Sequence, residues 1–224
     1  EKIIIKKALP FYLKKMKSRL YIDGYNFYYS FIHHADLPNY LTWCDFRKLG
    51  QNLLDQISPG EALGKIKYFT APVGNLETRK GERQRQKDWL RAISTIPNLE
   101  IIKGYHQPKG EDASQKRVEK QTDVNIAAHM MMDAMMDKSD RLILISGDTD
   151  LITPVDLIVN VIPNSKKVDI LFPSGDVASR WKKMGLSEVG YHIPTYELLS
   201  KSRLLEKIEL DHGSFIEAPA KFKK

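Results

Sequence analysis

Cysteine is almost missing: Cys44 stands alone among 224 residues, so no internal disulfide can form and no cysteine pair at zinc spacing exists. A reducing compartment is the expectation, and a structural zinc is argued against. Long hydrophobic runs are missing too. Nothing approaches the ~18 consecutive apolar residues that would span a bilayer, so no membrane partner and a cytoplasmic location are expected. Residues 1–17 carry a short apolar cluster, Ile3-Ile4-Ile5, among lysines, without the continuous apolar core or small-residue cleavage pattern of a secretory leader. They read as a basic arm, residues 1–18, in preference to a segment resting Phe11-Tyr12-Leu13 on an anionic surface. Histidine is sparse: His33-His34 has no third ligand at recognisable spacing and reads as ordinary surface.

What the chain has is positive charge, with 35 Lys and Arg against 28 Asp and Glu, a net +7 and a pI near 9.3. That balance favours a polyanionic partner. The length suits one α/β domain with extensions. Apolar runs at 19–23, 65–70, 99–103, 142–145, 167–172 and 190–193 read as strands, and they alternate with helical patterns at 45–57, 77–96, 122–135, 151–161, 177–184 and 195–199. Such alternation predicts a mostly parallel sheet layered between helices. The segment 104–120 reads as a long polar loop near a site. Thr122 reads as a helix cap, with Ile126, Ala127, Met130, Ala134 and Met135 spaced as one buried face. Core filling explains the methionine cluster 130–136 better than soft-metal binding. After Arg203 the tail, residues 205–224, shows no readable chemistry.

Acids recur where strands end. Asp23 closes the first strand before Gly24, and Asn26 follows two residues later. Asp148 and Asp150 follow the wholly apolar run Leu142-Ile143-Leu144-Ile145, and Asp123 opens a helix. Each has a plain reading by itself, as a turn residue, a cap or a complement to a helix dipole. Together they change meaning, because the carboxyl ends of parallel strands form the edge where open α/β sheets bind ligands. Four carboxylates there repel unless cations neutralise them, and Mg²⁺ or Mn²⁺ takes such oxygen ligands. Two such ions can activate water and stabilise the leaving oxygen in phosphodiester cleavage. Between residues 77 and 96, Lys80, Arg83, Lys87 and Arg91 recur at helical spacing as a face able to guide a phosphate backbone, with solvated surface as the plainer reading. The aromatics after Gly24 (Tyr25, Phe27, Tyr28, Tyr29, Phe31) are of the kind that stacks bases, but core contacts are expected for most of them.

Three ordered pieces, Tyr21-Ile22-Asp23-Gly24-Tyr25-Asn26, Lys120-Gln121-Thr122-Asp123-Val124 and Leu144-Ile145-Ser146-Gly147-Asp148-Thr149-Asp150-Leu151, resemble the NYN-domain family of PIN-like nucleases, especially its LabA-like branch. A later Ser179-x-x-Lys182 helix and Gly190-Tyr191-His192-Ile193 are similar too. The resemblance spans residues 19–204 and implies a PIN-like three-layer α/β/α sandwich with a metal-dependent ribonuclease site. It would make Asp23, Asp123, Asp148 and Asp150 the metal-binding acids, with Asn26 as a polar neighbour and Lys120 beside the basic face as an RNA contact. Thr149 and Leu151 stand where Ser and Phe are frequent, and Gln121-Thr122 replaces a common Gly-Val, departures that touch the branch more than the chemistry. The alternative is an RNA-binding or scaffold module of the same fold without turnover. A phosphatase or Toprim-like reading is disfavoured: the first strand lacks the Asp-x-Asp-x-Thr nucleophile motif of haloacid-dehalogenase-like phosphatases, and no conspicuous glutamate follows it. The sequence leaves open whether the chain pairs as a homodimer.

Overall fold

A computed structural model of the chain describes residues 17–32, 37–73, 80–108, 117–164, 166–210 and 213–224. Residues 1–16 of the basic arm and His33-His34 lie outside the described residues, as do the side chains of Lys80 and Lys120; the arm's last residue, Ser18, is the first of β1. The first strand, β1 (Ser18–Asp23), runs into α1 (Gly24–Ile32), and α2 (Phe46–Ile57) leads to β2 (Leu63–Thr70). Then come α3 (Lys80–Ser94), β3 (Leu99–Lys103), β4 (Tyr105–Pro108), β5 (Arg117–Lys120) and α4 (Thr122–Met135). The second half holds β6 (Arg141–Ile145), α5 (Ile152–Asn160), β7 (Lys167–Leu171), α6 (Ser179–Lys183), β8 (Val189–His192) and α7 (Tyr196–Ser200). A hairpin of β9 (Lys207–Glu209) and β10 (Phe215–Glu217) follows.

Six strands make one sheet in the order β3-β2-β1-β6-β7-β8, every pairing parallel. Both faces are covered, which is why β6 has no polar alternation. Its Ile143 and Ile145 enter one core with Leu20 and Ile22, under α2, α3 and α7. Leu142 and Leu144 enter the other with Tyr21, under α4, α5 and α6. The result is the three-layer sandwich expected from the alternation of elements.

Charges inside the layers are paired, as burial demands. Under α4, Asp133 accepts from Lys67 Nζ at 2.6 Å and Tyr21 Oη at 2.8 Å, and meets Arg19 at 2.8 Å. Across β6, β7 and β8, Arg141 bridges Glu61 and Asp169, while His192 Nε2 sits 2.8 Å from the other oxygen of Asp169. Gly190 makes that last pair fit: a Cβ there would strike Asp169 Oδ1 and lie 2.8 Å from His192 Nε2.

Three expectations need correction. Residues 104–120 are not all loop, since β4 and β5 pair antiparallel, Tyr105 opposite Lys120; backbone pairing between segments this polar leaves no apolar periodicity to read. Thr122 is the first helical residue, not the cap: Gln121 takes that position in the left-handed conformation, φ 73°, without a capping side chain. Met135 is 69% exposed. The inward position on that turn belongs to Asp133, which the buried Lys67 holds there.

Residues 205–224 pack on the domain. Ile208, Ile216, Ala218 and Phe222 belong to the core under α2 and α3, and the Phe222 ring stacks on Trp43 at 6.2 Å between centroids.

Candidate active site

The strand order reverses between β1 and β6. The helix after β1 turns to one face of the sheet, where α1 buries Phe27, and the helix after β6 turns to the other, where α5 buries Val155 and Ile158. A crevice opens between diverging helices at such a switch point. The register Ile22 to Ile145 sets Asp23 beside Ser146 at its floor.

Asp23 is 4% exposed. One carboxylate oxygen accepts from the backbone N–H of Asn26 at 2.9 Å, the other from Ser146 Oγ–H at 2.9 Å. Both donors are neutral. Desolvation dominates, Asp123 and Asp148 add like charge, and the carboxyl is pushed up to about 6 against the two hydrogen bonds. Asn26 ties the strand ends together, its Oδ1 accepting from Gly147 N–H at 2.9 Å, while Ser146 Oγ accepts from Asp148 N–H at 3.1 Å. Asp148 in turn accepts from Asp150 N–H at 2.9 Å, capping the short 3-10 turn Thr149–Leu151. Gly24 permits the turn out of β1: a Cβ would meet the Tyr68 ring at 2.6 Å and Phe69 O at 2.7 Å.

Asp23, Asn26, Asp123 and Asp148 line one cavity of about 310 Å³, with Tyr25, Tyr29, Ser30, Gln121 and Thr122. Asp123 enters from the first turn of α4, and its carboxyl is raised by desolvation and then by Asp148 and Asp150. Asp150 acts on Asp123 electrostatically but is exposed outside the lining. Among the described residues no three His, Cys, Asp or Glu side chains are drawn together closely enough to form a ready metal cluster. The acids Asp23, Asp123 and Asp148 share a cleft without forming such a group.

A second cavity, about 250 Å³, adjoins the first, with Tyr25 and Tyr29 lining both. On α3 the residues turned toward it are Glu82, Arg85, Gln86 and Trp89. Arg83, Lys87 and Arg91 line neither cavity, and Arg91 lies 3.9 Å from Asp88. Sequence reasoning missed Ser146, Arg85 and Lys221 as site residues. The spacing of Glu82, Gln86 and Trp89 along one side of α3 carried a readable signal for the neighbourhood of Arg85; no local signal places Lys221.

Residues 17–172 match the family model described as NYN domain. The 6-hydroxy-3-succinoylpyridine 3-monooxygenase of Pseudomonas putida (strain DSM 28022 / S16) is 25% identical over 177 residues, 64% of this chain and 55% of that one, so the chain spans about half the length of the curated relative it matches. A crystal structure of a protein of unknown function from Vibrio parahaemolyticus aligns with a TM-score of 0.55 at 17% identity, over 82% of this chain and 95% of that chain, a likeness of fold alone. No helix among the described residues is long and apolar enough to cross a membrane. With its family match running from the start of β1 to the end of β7, across Asp23, Asp123 and Asp148, the chain belongs to the NYN domain family and carries its PIN-like nuclease fold.

Proposed function

We propose that the chain is a divalent-metal-dependent nuclease that hydrolyses phosphodiester bonds in RNA at the cleft between β1 and β6. One observation carries the reading: Asp23, Asp123 and Asp148, from three separate segments, line a single cavity at the switch point of the sheet. The donor set fits a hard cation. Asp23 is buried with only neutral hydrogen-bond donors and two carboxylates acting on it, an arrangement that a Mg²⁺ or Mn²⁺ ion would relieve. Asp23, Asp123 and Asp148 would hold it, with Asp150 reinforcing the negative field. When bound, the ion supplies Lewis acidity toward the phosphate and a lowered pKa for water.

The chain's own residues do the positioning. Ser146 and the Asn26 N–H fix both oxygens of Asp23, and Asn26 Oδ1 holds the Gly147 peptide, so the ends of β1 and β6 keep one spacing. Arg83, Lys87 and Arg91 supply cationic surface on α3, outside the cleft. The oxygenase activity in the name of the Pseudomonas relative belongs to a protein of which the match covers 55%.

The test is cleavage of single- and double-stranded RNA and DNA with Mg²⁺ or Mn²⁺, beside Asp148→Asn and Asp23→Asn. Loss of the several kcal/mol that such charge stabilisation provides predicts a drop of roughly a hundredfold or more in each folded variant. Wild-type rates in both would overturn the assignment. A second reading is an RNA-binding module without turnover, favoured by the lack, among the described residues, of three His, Cys, Asp or Glu side chains grouped to hold a metal ion. Tight RNA binding in EDTA with no cleavage under any metal would establish it.

A further inference from the structure

Directly behind the acidic cleft lies a cavity whose chemistry the hydrolytic reading does not use. Its walls are rings: Tyr25, Tyr28, Tyr29, Tyr68, Trp89 and Phe222. They come from four places in the chain, α1, β2, α3 and the residues after β10. Helical spacing on α1 divides the labour. Asn26 and Ser30, four apart, face the acids; Tyr25 and Tyr29, four apart and stacked at 5.8 Å, stand between the cavities; Tyr28 faces only the aromatic one. Phe27, buried in the core, closes the aromatic cavity from the inside, so the aromatic run after Gly24 serves two purposes.

Core packing accounts for Tyr68 and Phe222, which are buried, but not for the rings of α1 that reach the surface. Tyr29 is 51% exposed, and Tyr28 is part-buried beside open volume. Charge at the rim is positive on balance, with Arg85 and Lys221 against Glu82. Lys221 Nζ donates to Tyr28 Oη at 2.8 Å and lies 4.6 Å from the centre of the Phe222 ring, which holds an ammonium group at the mouth. A planar ring between aromatic walls, with an anionic linkage at a cationic mouth, is a nucleotide in outline.

We infer that this cavity is a base subsite, taking by stacking the nucleobase next to the phosphate at the acidic cleft. The inference rests on the nuclease reading for the position of that phosphate, and on the shared Tyr25 and Tyr29 wall for the adjacency. Stacking is tolerant of base identity because every base presents a π face, so no strict sequence preference follows.

The test separates the two claims. Binding of AMP, UMP and ribose 5-phosphate is measured by calorimetry in EDTA, where hydrolysis plays no part. Trp89 fluorescence reports where the ligand sits. Both nucleotides should quench it and bind at least roughly tenfold more tightly than ribose 5-phosphate, which offers the phosphate without the ring. Tyr28→Ala should lose roughly tenfold in nucleotide affinity, and Tyr28→Phe, which keeps the ring, should restore it. Arg85→Ala should weaken the nucleotides and ribose 5-phosphate alike. Equal affinity for AMP and ribose 5-phosphate, or unchanged nucleotide affinity in a folded Tyr28→Ala protein, overturns the base subsite. Base-dependent binding beside metal-treated protein that cuts nothing keeps the subsite and sinks the nuclease; cleavage with base-blind binding does the reverse.

Discussion

Replacing Asp23 with Asn should slow cleavage by roughly a hundredfold or more and stabilise the fold, two effects of opposite sign from one substitution. Burial lifts the Asp23 carboxyl from an ordinary 3.8 to about 6. At about 1.4 kcal/mol per pH unit, keeping it ionised at neutral pH costs about 3 kcal/mol of folding stability. Asn carries no such charge. It keeps the bond from Asn26 N–H, but its Nδ2–H₂ must face Ser146, whose hydroxyl already accepts from Asp148 N–H and now needs a new acceptor. That rearrangement takes back about 1 kcal/mol. A net gain of about 2 kcal/mol corresponds to roughly 4–8 °C in Tm for a domain of this size. The sign follows from a folded pKa above the unfolded one: the penalty is absent below pH 3.8, grows as pH rises, and is complete above about 6. Thermal unfolding of both proteins in EDTA from pH 4 to 8 reads it directly. The Asn variant should be slightly the less stable at pH 4 and clearly the more stable by pH 7, the two curves crossing between. An Asn variant less stable than wild type at pH 7, with a gap indifferent to pH, would make Asp23 a structural carboxylate and refute the reasoning.

Two further predictions concern the charges inside the layers. Lys67→Met leaves the buried Asp133 with Arg19 and Tyr21 alone and should cost about 3 kcal/mol in urea unfolding, whereas Lys67→Met with Asp133→Leu should return to within about 1–2 kcal/mol of wild type; a single variant costing under about 1 kcal/mol would contradict this. Burial raises the Asp133 carboxyl, but its bonds from Lys67, Tyr21 and Arg19 outweigh that and hold it below the usual range. Its stabilisation is therefore present above the unfolded value near 3.9 and disappears as pH falls through the folded one, a loss the double variant should not show. Gly190→Ala should destabilise by roughly 1–3 kcal/mol in the same assay through overlap with Asp169 and His192, and a neutral result would mean β8 yields more readily than its packing implies.

The sheet was legible because its strands announce themselves: β6 is four consecutive buried aliphatics after Arg141, and the acids sit where such runs stop. That Asp23, Asp123 and Asp148 would share a cleft followed from strand order, which only the fold supplies. Asp150 shows the limit of reading by type, for it has the same chemistry as Asp148 two residues earlier yet turns outward on the 3-10 turn. The basic residues divide likewise. Arg83, Lys87 and Arg91 were visible as a periodic face, whereas Arg85, one of the charges at the aromatic cavity, belongs to the side of α3 that carries Trp89. Lys221 was invisible for a different reason: its neighbour Tyr28 is 193 residues away, and the segment that brings them together is held by scattered contacts, Ile208, Ile216 and Ala218 in the core and Phe222 on Trp43.

The middle strand of the sheet is also the first to be synthesised. β1 obtains β2 within a few tens of residues, but its bond from Ser146 to Asp23 spans 123 positions, so one edge waits for most of the domain. At ~5–20 residues per second, that wait on the ribosome is about 6–25 s. An apolar strand with an open edge is a template for the wrong partner during that interval. Lys17 and Arg19, at its start, place like charge where a second nascent copy would have to approach.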